Sequence, residues 1–175
     1  MNSSTHTVTI NASADHAWRI IGEDFVAVDR WMAANPTAEA IPGPALPGAP
    51  AKGRNSYLIQ KFAPMYQEEI ITAYSDAKRS ISTRVTLCKG PKLMPMLGYT
   101  ATVTVKPIND TSCSITYTGQ AVTKWFSKPM KGMLTNSMKA GYLRGLEELG
   151  HYIETGEPHP RKVEKIESEA ALAAA

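Results

Sequence analysis

Residues 99–122 have the sequence YTATVTVKPINDTSCSITYTGQAV. On each side of the turn-forming pair Asn109-Asp110, apolar and polar side chains alternate with a period of two, which is typical of two β-strands. Strands with one apolar and one polar face fit an antiparallel sheet that is covered on one side only. The apolar faces contain Tyr99, Ala101, Val103, Val105, Cys113, Ile115, Tyr117 and Gly119.

A cover for this apolar face follows directly in the chain. Over residues 128–154 apolar side chains recur at intervals of three and four, which predicts an α-helix about 40 Å long. Pro129 suits the first turn of this helix, and Gly156 and Pro158 end it. The apolar stripe contains Met130, Leu134, Met138, Tyr142, Leu146, Leu149 and Ile153.

The chain before residue 99 adds further strands and two short helices. Residues 5–11 alternate in polarity and predict the first strand, after which Ser13 can cap a helix that Gly22 ends. A second short helix is predicted over residues 24–32, where apolar side chains have helical spacing. Three more strands, joined by short breaks that favour antiparallel pairing, are predicted at residues 54–61, 66–74 and 79–87.

Three segments have the composition of loops or tails. Residues 35–52 hold five prolines and predict a long loop, a candidate lid or rim. Residues 88–98 form an apolar loop that prolines interrupt. The charged, alanine-rich residues 161–175 have no clear apolar face and predict a mobile tail. We therefore expect one domain over residues 1–157 and a tail over residues 158–175.

Composition excludes several classes of protein. The 175 residues suit one domain, and their net charge of +3 comes from 19 basic and 16 acidic residues. The lysines at 89, 92, 124, 128 and 131 form only a weak basic patch, for which a solvated surface is the simpler interpretation. We therefore expect no nucleic-acid partner. No apolar run approaches the roughly 20 residues that span a bilayer, so no stable membrane insertion is expected.

Location and cofactors follow from further absences in the sequence. The N-terminus lacks the basic and apolar regions of a secretory signal, so we expect a cytoplasmic protein, either a monomer or a homodimer. Two cysteines are too few for a disulfide scaffold or a four-cysteine zinc site. The four histidines are scattered and show no metal-ligand spacing. No metal and no cofactor are expected.

The order of these elements, together with several short motifs, resembles the START-like superfamily, in particular its polyketide cyclase/dehydrase and lipid-transport branch. The motifs are VTINASADHAW at 8–18, Asp24-Phe25 through Trp31, Gly53-Arg54, EIITAYS at 69–75 and GLEEL at 145–149. The resemblance implies an α+β helix-grip fold, in which a curled antiparallel sheet wraps around the long C-terminal helix and two short helices follow the first strand. It also implies a cavity between sheet and helix.

Candidate ligand-binding residues are the apolar, methionine and tyrosine side chains that would face this cavity. Unbranched thioethers adapt to irregular ligands, although the same methionines can simply fill gaps in a core. The candidates are Tyr57, Tyr74, Met94, Met96, Tyr117, Leu134, Met138 and Tyr142.

Candidate catalytic residues are those that could serve a cyclase acting on a polyketone. Such an enzyme needs a donor that polarises a carbonyl group, for which Tyr99 and Arg84 are candidates, and a carboxylate base. Glu68 and Glu69 are neighbours in a strand, so only one of them can face inward. The resemblance favours Glu69, whereas alternation with Tyr66, Ile70 and Tyr74 favours Glu68. The inward glutamate could instead pair with Arg54 or Arg84 in a structural salt bridge.

Two functions follow as hypotheses. The first is an enzyme that cyclises or dehydrates a polyketide-like carbonyl compound by acid–base chemistry. The second is a non-catalytic carrier or sensor of a lipid-like or other hydrophobic ligand. Both require a small hydrophobic or aromatic molecule as the partner.

Overall fold

The computed structural model of the chain describes residues 3–58, 65–126 and 131–173. Its strands are β1 (Ser4–Ile10), β2 (Thr37–Ala40), β3 (Gly53–Tyr57), β4 (Tyr66–Ser75), β5 (Ser80–Cys88), β6 (Met96–Asn109) and β7 (Ser112–Thr123). Within the described residues these seven strands form one antiparallel sheet in the order β1-β7-β6-β5-β4-β3-β2. The sheet is curled and encloses space on its concave side.

Short helices follow the first strand and long ones end the chain. Helix α1 (Ala14–Trp18) continues into a π-helical turn (Arg19–Glu23) and a 3-10 helix (Phe25–Arg30). The last helices are α2 (Lys131–Thr155) and α3 (Pro160–Ala173). This arrangement confirms the predicted helix-grip α+β fold. Among the described residues no helix is both long enough and apolar enough to cross a membrane.

The hydrophobic core lies under the C-terminal half of α2. Leu146, Leu149 and Ile153 pack there against Ile10 and Ile115 of the inner sheet face. The preceding residues 132–145 of the same helix include no buried side chain. One half of the helix therefore closes the core, and the other half leaves the sheet partly uncovered.

The outer face of the sheet is polar, as the alternation predicts. Hydroxyl groups pair across neighbouring strands, for example Thr7 with Thr116 at 3.0 Å and Ser82 with Thr102 at 2.8 Å. These pairs satisfy one another beside solvent, so the outer face needs no cover. Helix and cavity are confined to the inner face.

The N-terminal part differs from the prediction in two places. Ser13 caps α1 by accepting from the His16 amide, as expected, but α1 ends at Trp18 rather than at Gly22. The Trp18 ring packs over Gly22, where an added Cβ would lie 2.5 Å from it, so glycine is required for this contact. The predicted loop 35–52 contains the short edge strand β2, which lies between Pro36 and Pro42.

The segment expected to be a mobile tail contains helix α3. Its first turn is fastened to the domain: Lys162 is only 5% exposed, and its Nζ donates to the carbonyl oxygens of Met32 and Asn35. Arg161 donates to Glu148 at 3.0 Å. Buried polar contacts rather than an apolar face hold the first turn of this helix, and hydrophobic periodicity does not reveal such contacts.

Candidate functional site

A cavity of about 310 Å³ lies between the inner sheet face and the half of α2 that leaves this face partly uncovered. Strands β4, β5, β6 and β7 supply its floor, α2 supplies its roof, and the segment that follows the 3-10 helix supplies a side wall. Most of its surface is apolar. The apolar lining includes Ile20, Ile21, Phe25, Trp31, Met32, Leu58, Ile81, Met96, Ala101, Val103, Met138, Leu146 and Leu149.

One end of the cavity holds a buried ion pair. The Arg54 guanidinium donates to both carboxylate oxygens of Glu69, from Nε at 2.8 Å and from Nη2 at 2.9 Å. Ser56 donates to the same carboxylate at 2.8 Å, and Glu69 is only 6% exposed. Bidentate pairing with a third donor is strong and directional. Both oxygens of Glu69 are therefore engaged within the folded protein.

Strand register brings these two charges together. Arg54 and Glu69 are directly opposite residues on β3 and β4. A Cβ at neighbouring Gly53 would lie 2.1 Å from the Glu69 carbonyl oxygen, so only glycine allows this close approach of the strands. The guanidinium also stacks 4.1 Å from the centre of the Phe25 ring and donates to the Phe25 carbonyl oxygen. Arg54 thus links the sheet to the 3-10 helix.

Three tyrosines form a cluster in the wall of the cavity. The Tyr142 ring lies 4.5 Å from that of Tyr117 and 6.0 Å from that of Tyr99, measured between centroids. Burial raises the pKa of Tyr142 to about 12, and it holds the pKa values of Tyr99 and Tyr117 well above the usual 10.0. The three hydroxyl groups are therefore protonated at neutral pH and can act as hydrogen-bond donors.

Two buried polar groups of the cavity wall lack a well-formed hydrogen bond among the described residues. They are the Asn35 side-chain amide nitrogen and the Tyr142 hydroxyl, although an interaction with the Tyr117 hydroxyl partly offsets the rise that burial causes in the pKa of Tyr142. The Tyr99 hydroxyl, in contrast, donates to Gln67 at 3.2 Å. Buried donors are normally satisfied, so these two groups are candidate donors for a bound molecule.

Replacing Tyr142 by phenylalanine tests whether its hydroxyl is unpartnered. We expect the free energy of unfolding of Tyr142→Phe near neutral pH to lie between the wild-type value and about 1 kcal/mol above it. The reason is that the substitution removes a buried donor that lacks a well-formed hydrogen bond. Between about pH 10 and 12 wild-type stability should fall, since the unfolded tyrosine loses a proton that the folded one keeps. The variant should show a weaker fall. Urea unfolding near neutral pH and again between about pH 10 and 12 measures the two effects. A clear loss of stability of the variant at neutral pH would show that the Tyr142 hydroxyl has a partner.

The side wall of the cavity is held by α3 and α2. Trp31, Met32 and Asn35 line the cavity, and the Lys162 ammonium binds two carbonyl oxygens of this segment. Glu148 of α2, which is 4% exposed, accepts from the Ala33 amide at 2.9 Å. The wall is therefore fixed by charged groups that lie behind it.

A family model described as polyketide cyclase/dehydrase and lipid transport matches residues 1–154. This chain belongs to that family. The match includes the sheet, the ion pair and nearly all of α2, whereas α3 lies beyond it. Membership in the family supports a ligand-binding role. No curated protein sequence matches the chain.

Solved structures of the same fold cover most of the chain. The Zhui aromatase/cyclase from Streptomyces sp. R1128 has a TM-score of 0.68 at 13% identity, with 87% of this chain and 93% of that chain covered. A START superfamily protein from Mycobacterium smegmatis has a TM-score of 0.62 at 16% identity, with 83% and 94% covered. Norcoclaurine synthase from Thalictrum flavum has a TM-score of 0.58 at 19% identity, with 87% and 86% covered.

Six of the twelve residues predicted for the site line the cavity of this family member. They are Glu69, Tyr99, Met96, Tyr117, Met138 and Tyr142. Their strands and helix present the apolar faces that the periodicity predicts. Their roles in binding or catalysis stay predictions.

The other six residues do not line it. Arg84 is exposed on the outer sheet face, and Leu134 is half-buried near the start of α2. Tyr57 is exposed and donates to Glu39, whereas Tyr74 donates to Asp76 and packs on Trp18. Met94 lies beside Gly90 in the loop before β6. The sixth is Glu68.

A β-bulge explains why alternation favoured the wrong glutamate. The pairing of β4 with β5 shifts register between Ile71 and Ala73, so the alternation of faces changes phase there. Tyr74 therefore packs on the inner side together with Glu69 and Ile71. Without the bulge, strict alternation would place Tyr74 on the same face as Glu68. Glu69 is the inward residue, as the resemblance favoured, and it pairs with Arg54 rather than with Arg84.

Several site residues were not predicted. Asn35 is the first residue of the proline-rich segment, and Trp31 lies just before it. Phe25 belongs to a short helix to which sequence reasoning assigns no role in the site. The motif from Asp24-Phe25 to Trp31 was a signal of the fold alone. Contact of this segment with the cavity depends on how it folds back over the sheet edge, which local spacing does not show.

Proposed function

We propose that the protein binds one small, mainly hydrophobic or aromatic molecule that carries an acceptor oxygen, and that it serves as a carrier or sensor of this molecule. The observation that supports this most is a largely apolar cavity whose wall contains two donors without a well-formed hydrogen bond among the described residues, Asn35 and Tyr142. A volume of about 310 Å³ is at the small end of the range of ligand pockets, roughly 300–1,000 Å³.

The state of Glu69 favours binding over acid–base catalysis by this residue. A general base needs a free lone pair within reach of the substrate proton. The Glu69 carboxylate accepts two hydrogen bonds from Arg54 and one from Ser56, which occupy three of its roughly four lone-pair sites. Its most direct role is to orient Arg54 and to balance its charge.

A second candidate function is cyclisation or dehydration of a polyketide-like carbonyl compound. The family description and the Zhui aromatase/cyclase support it by analogy, and norcoclaurine synthase is a structural relative in complex with two small aromatic compounds. In this chain the neutral hydroxyls of Tyr99 and Tyr142 are the groups that would polarise a substrate carbonyl. Glu69 or Glu68 as the base stays a hypothesis, and the exposed position of Arg84, outside the cavity lining, does not favour it as a donor.

Native mass spectrometry of freshly purified protein tests the proposal. A carrier should retain one small molecule per chain and release it chemically unchanged after incubation with excess protein. An enzyme should return a product that differs by loss of water or by a new ring. Protein that holds no small molecule, and that also fails to bind a fluorescent apolar probe such as anilinonaphthalene sulfonate, would contradict both functions.

Filling the cavity from its roof should abolish binding without unfolding the protein. Gly141 lines the cavity, and a Cβ there meets no atom within 4 Å. Gly141→Leu should therefore lower affinity for the apolar probe at least tenfold, while stability rises by up to about 1 kcal/mol because glycine is a poor helix former. Probe titration and urea unfolding measure the two effects.

The matched control for this variant is Gly132→Leu. Gly132 is on the same helix and also has open space around its Cβ position, but it does not line the cavity. Its replacement should leave probe affinity unchanged. Equal loss of affinity in both variants would show that helix stiffness rather than cavity volume controls binding.

A further inference from the structure

Two hydrophobic side chains stand out by their exposure at one end of the sheet. Leu93 and Trp125 are each 84% exposed, the highest values among the large hydrophobic residues that are described. Leu97 and Phe126 beside them in the chain are also exposed. An apolar group of this size on a protein surface normally marks a contact site.

The loop before β6, which carries Leu93, is hydrogen-bonded to the segment after β7, which carries Trp125. The Lys124 amide donates to the Pro95 carbonyl oxygen at 2.9 Å, and the Lys124 ammonium donates to the Lys92 carbonyl oxygen at 2.7 Å. Strand pairing of Met96 with Thr123 precedes these contacts. Leu93 and Trp125 therefore belong to one surface, which we call the apolar tip (Lys89, Lys92, Leu93, Leu97, Lys124, Trp125 and Phe126).

The apolar tip carries positive charge. It contains three lysines and no acidic residue, and over residues 77–146 the sequence holds eleven Lys and Arg residues against the single acidic residue Asp110. The net charge of +3 for the whole chain hides this asymmetry, because fifteen of the sixteen acidic residues lie before residue 77 or after residue 146. A negatively charged surface complements this part of the protein.

The apolar tip also adjoins the cavity. Met96 lines the cavity and is followed directly by the exposed Leu97. The half of α2 that forms the cavity roof contains no buried side chain before Leu146.

We propose that the apolar tip docks on the surface of a bilayer that contains anionic lipid. Trp125 and Leu93 enter the headgroup region, and the lysines bind the lipid phosphates and carboxylates. A protein partner fits less well, because protein interfaces are depleted in lysine, which is the only cation of the apolar tip. The docking is peripheral, with no segment that crosses the bilayer.

Vesicle binding tests this proposal with four variants. The probe is vesicles of phosphatidylcholine and phosphatidylserine in roughly 7:3 ratio, compared with phosphatidylcholine alone. The wild type should sediment with the mixed vesicles, less so at high salt, and should show a blue shift of tryptophan fluorescence. Trp125→Ala and Lys92→Glu should each weaken binding about tenfold or more. The controls Ile108→Ala and Lys106→Glu, exposed at the other end of β6, should bind like the wild type.

Three results would overturn the proposal. They are absence of binding to the mixed vesicles, equal binding to neutral vesicles, and binding that Trp125→Ala and Lys92→Glu leave unchanged. A Trp125-dependent complex with a protein, formed without vesicle binding, would reassign the apolar tip to a protein partner. Ligand retention in the cavity is measured separately, so failure of docking and failure of the proposed carrier function are distinguishable.

Discussion

Replacing Arg54 by methionine should lower the free energy of unfolding by about 3–5 kcal/mol, because it leaves the Glu69 carboxylate buried without its counter-charge. Ser56 alone cannot compensate, since it donates to only one carboxylate oxygen. The variant also loses the stacking on Phe25 and the hydrogen bond to its carbonyl oxygen, which hold the 3-10 helix against the sheet. Urea unfolding followed by circular dichroism measures the change.

Two further variants isolate the ion pair as the cause. Arg84→Met removes an arginine of the same sheet whose side chain is exposed, and it should change stability by less than about 0.5 kcal/mol. The double variant Arg54→Met/Glu69→Leu removes both charges and should recover much of the loss. If Arg54→Met and Arg84→Met were equally stable, the pair would have no structural role and Glu69 would again be a candidate base.

Truncating the chain before α3, so that the whole helix including its first turn is absent, should lower the free energy of unfolding by at least about 3 kcal/mol. A chain that ends at Pro158 lacks the Lys162 ammonium, which leaves the carbonyl oxygens of Met32 and Asn35 without this donor, and it removes the Arg161 partner of buried Glu148. These groups hold the side wall of the cavity, so probe affinity should also fall. Denaturant unfolding and probe titration report the two losses.

The control for this truncation is a chain that ends at Ser168. It keeps Arg161 and Lys162 in the first turn of α3 and loses only residues that follow this turn. Its stability and probe affinity should equal those of the wild type. Equal behaviour of the chain ending at Pro158 would show that residues 159–175 are the mobile tail that their composition predicts.

The fold was predictable because its signals are local and repeated. Alternation in 99–122 and helical periodicity in the long C-terminal segment each extend over many residues, so single exceptions do not hide them. The order of elements then leaves few topologies. Edge strand β2 was missed because its four residues lie between prolines, where propensity favours a loop.

The site was predictable only where it coincides with those signals. Tyr99 and Tyr117 follow from strand alternation, and Tyr142 follows from helical spacing. Arg84 was chosen for its chemistry, but its parity in β5 directs it outward beside inward-facing Thr83 and Val85. Glu68 was a candidate partly because its parity in β4 matches that of Tyr74, which reaches the inner side only through the bulge after Ile71.

The sequence by itself determined the apolar inner face, because hydrophobic periodicity is a property of neighbouring residues, and its short motifs carried the resemblance that implied the helix-grip fold and the family. Only the tertiary structure decided which charges meet. Arg54 reaches Glu69 through strand register, and Lys162 reaches Met32 across 130 residues of sequence separation. Such contacts depend on register, a bulge and chain reversal, and buried charges form where these bring complementary groups within hydrogen-bond distance.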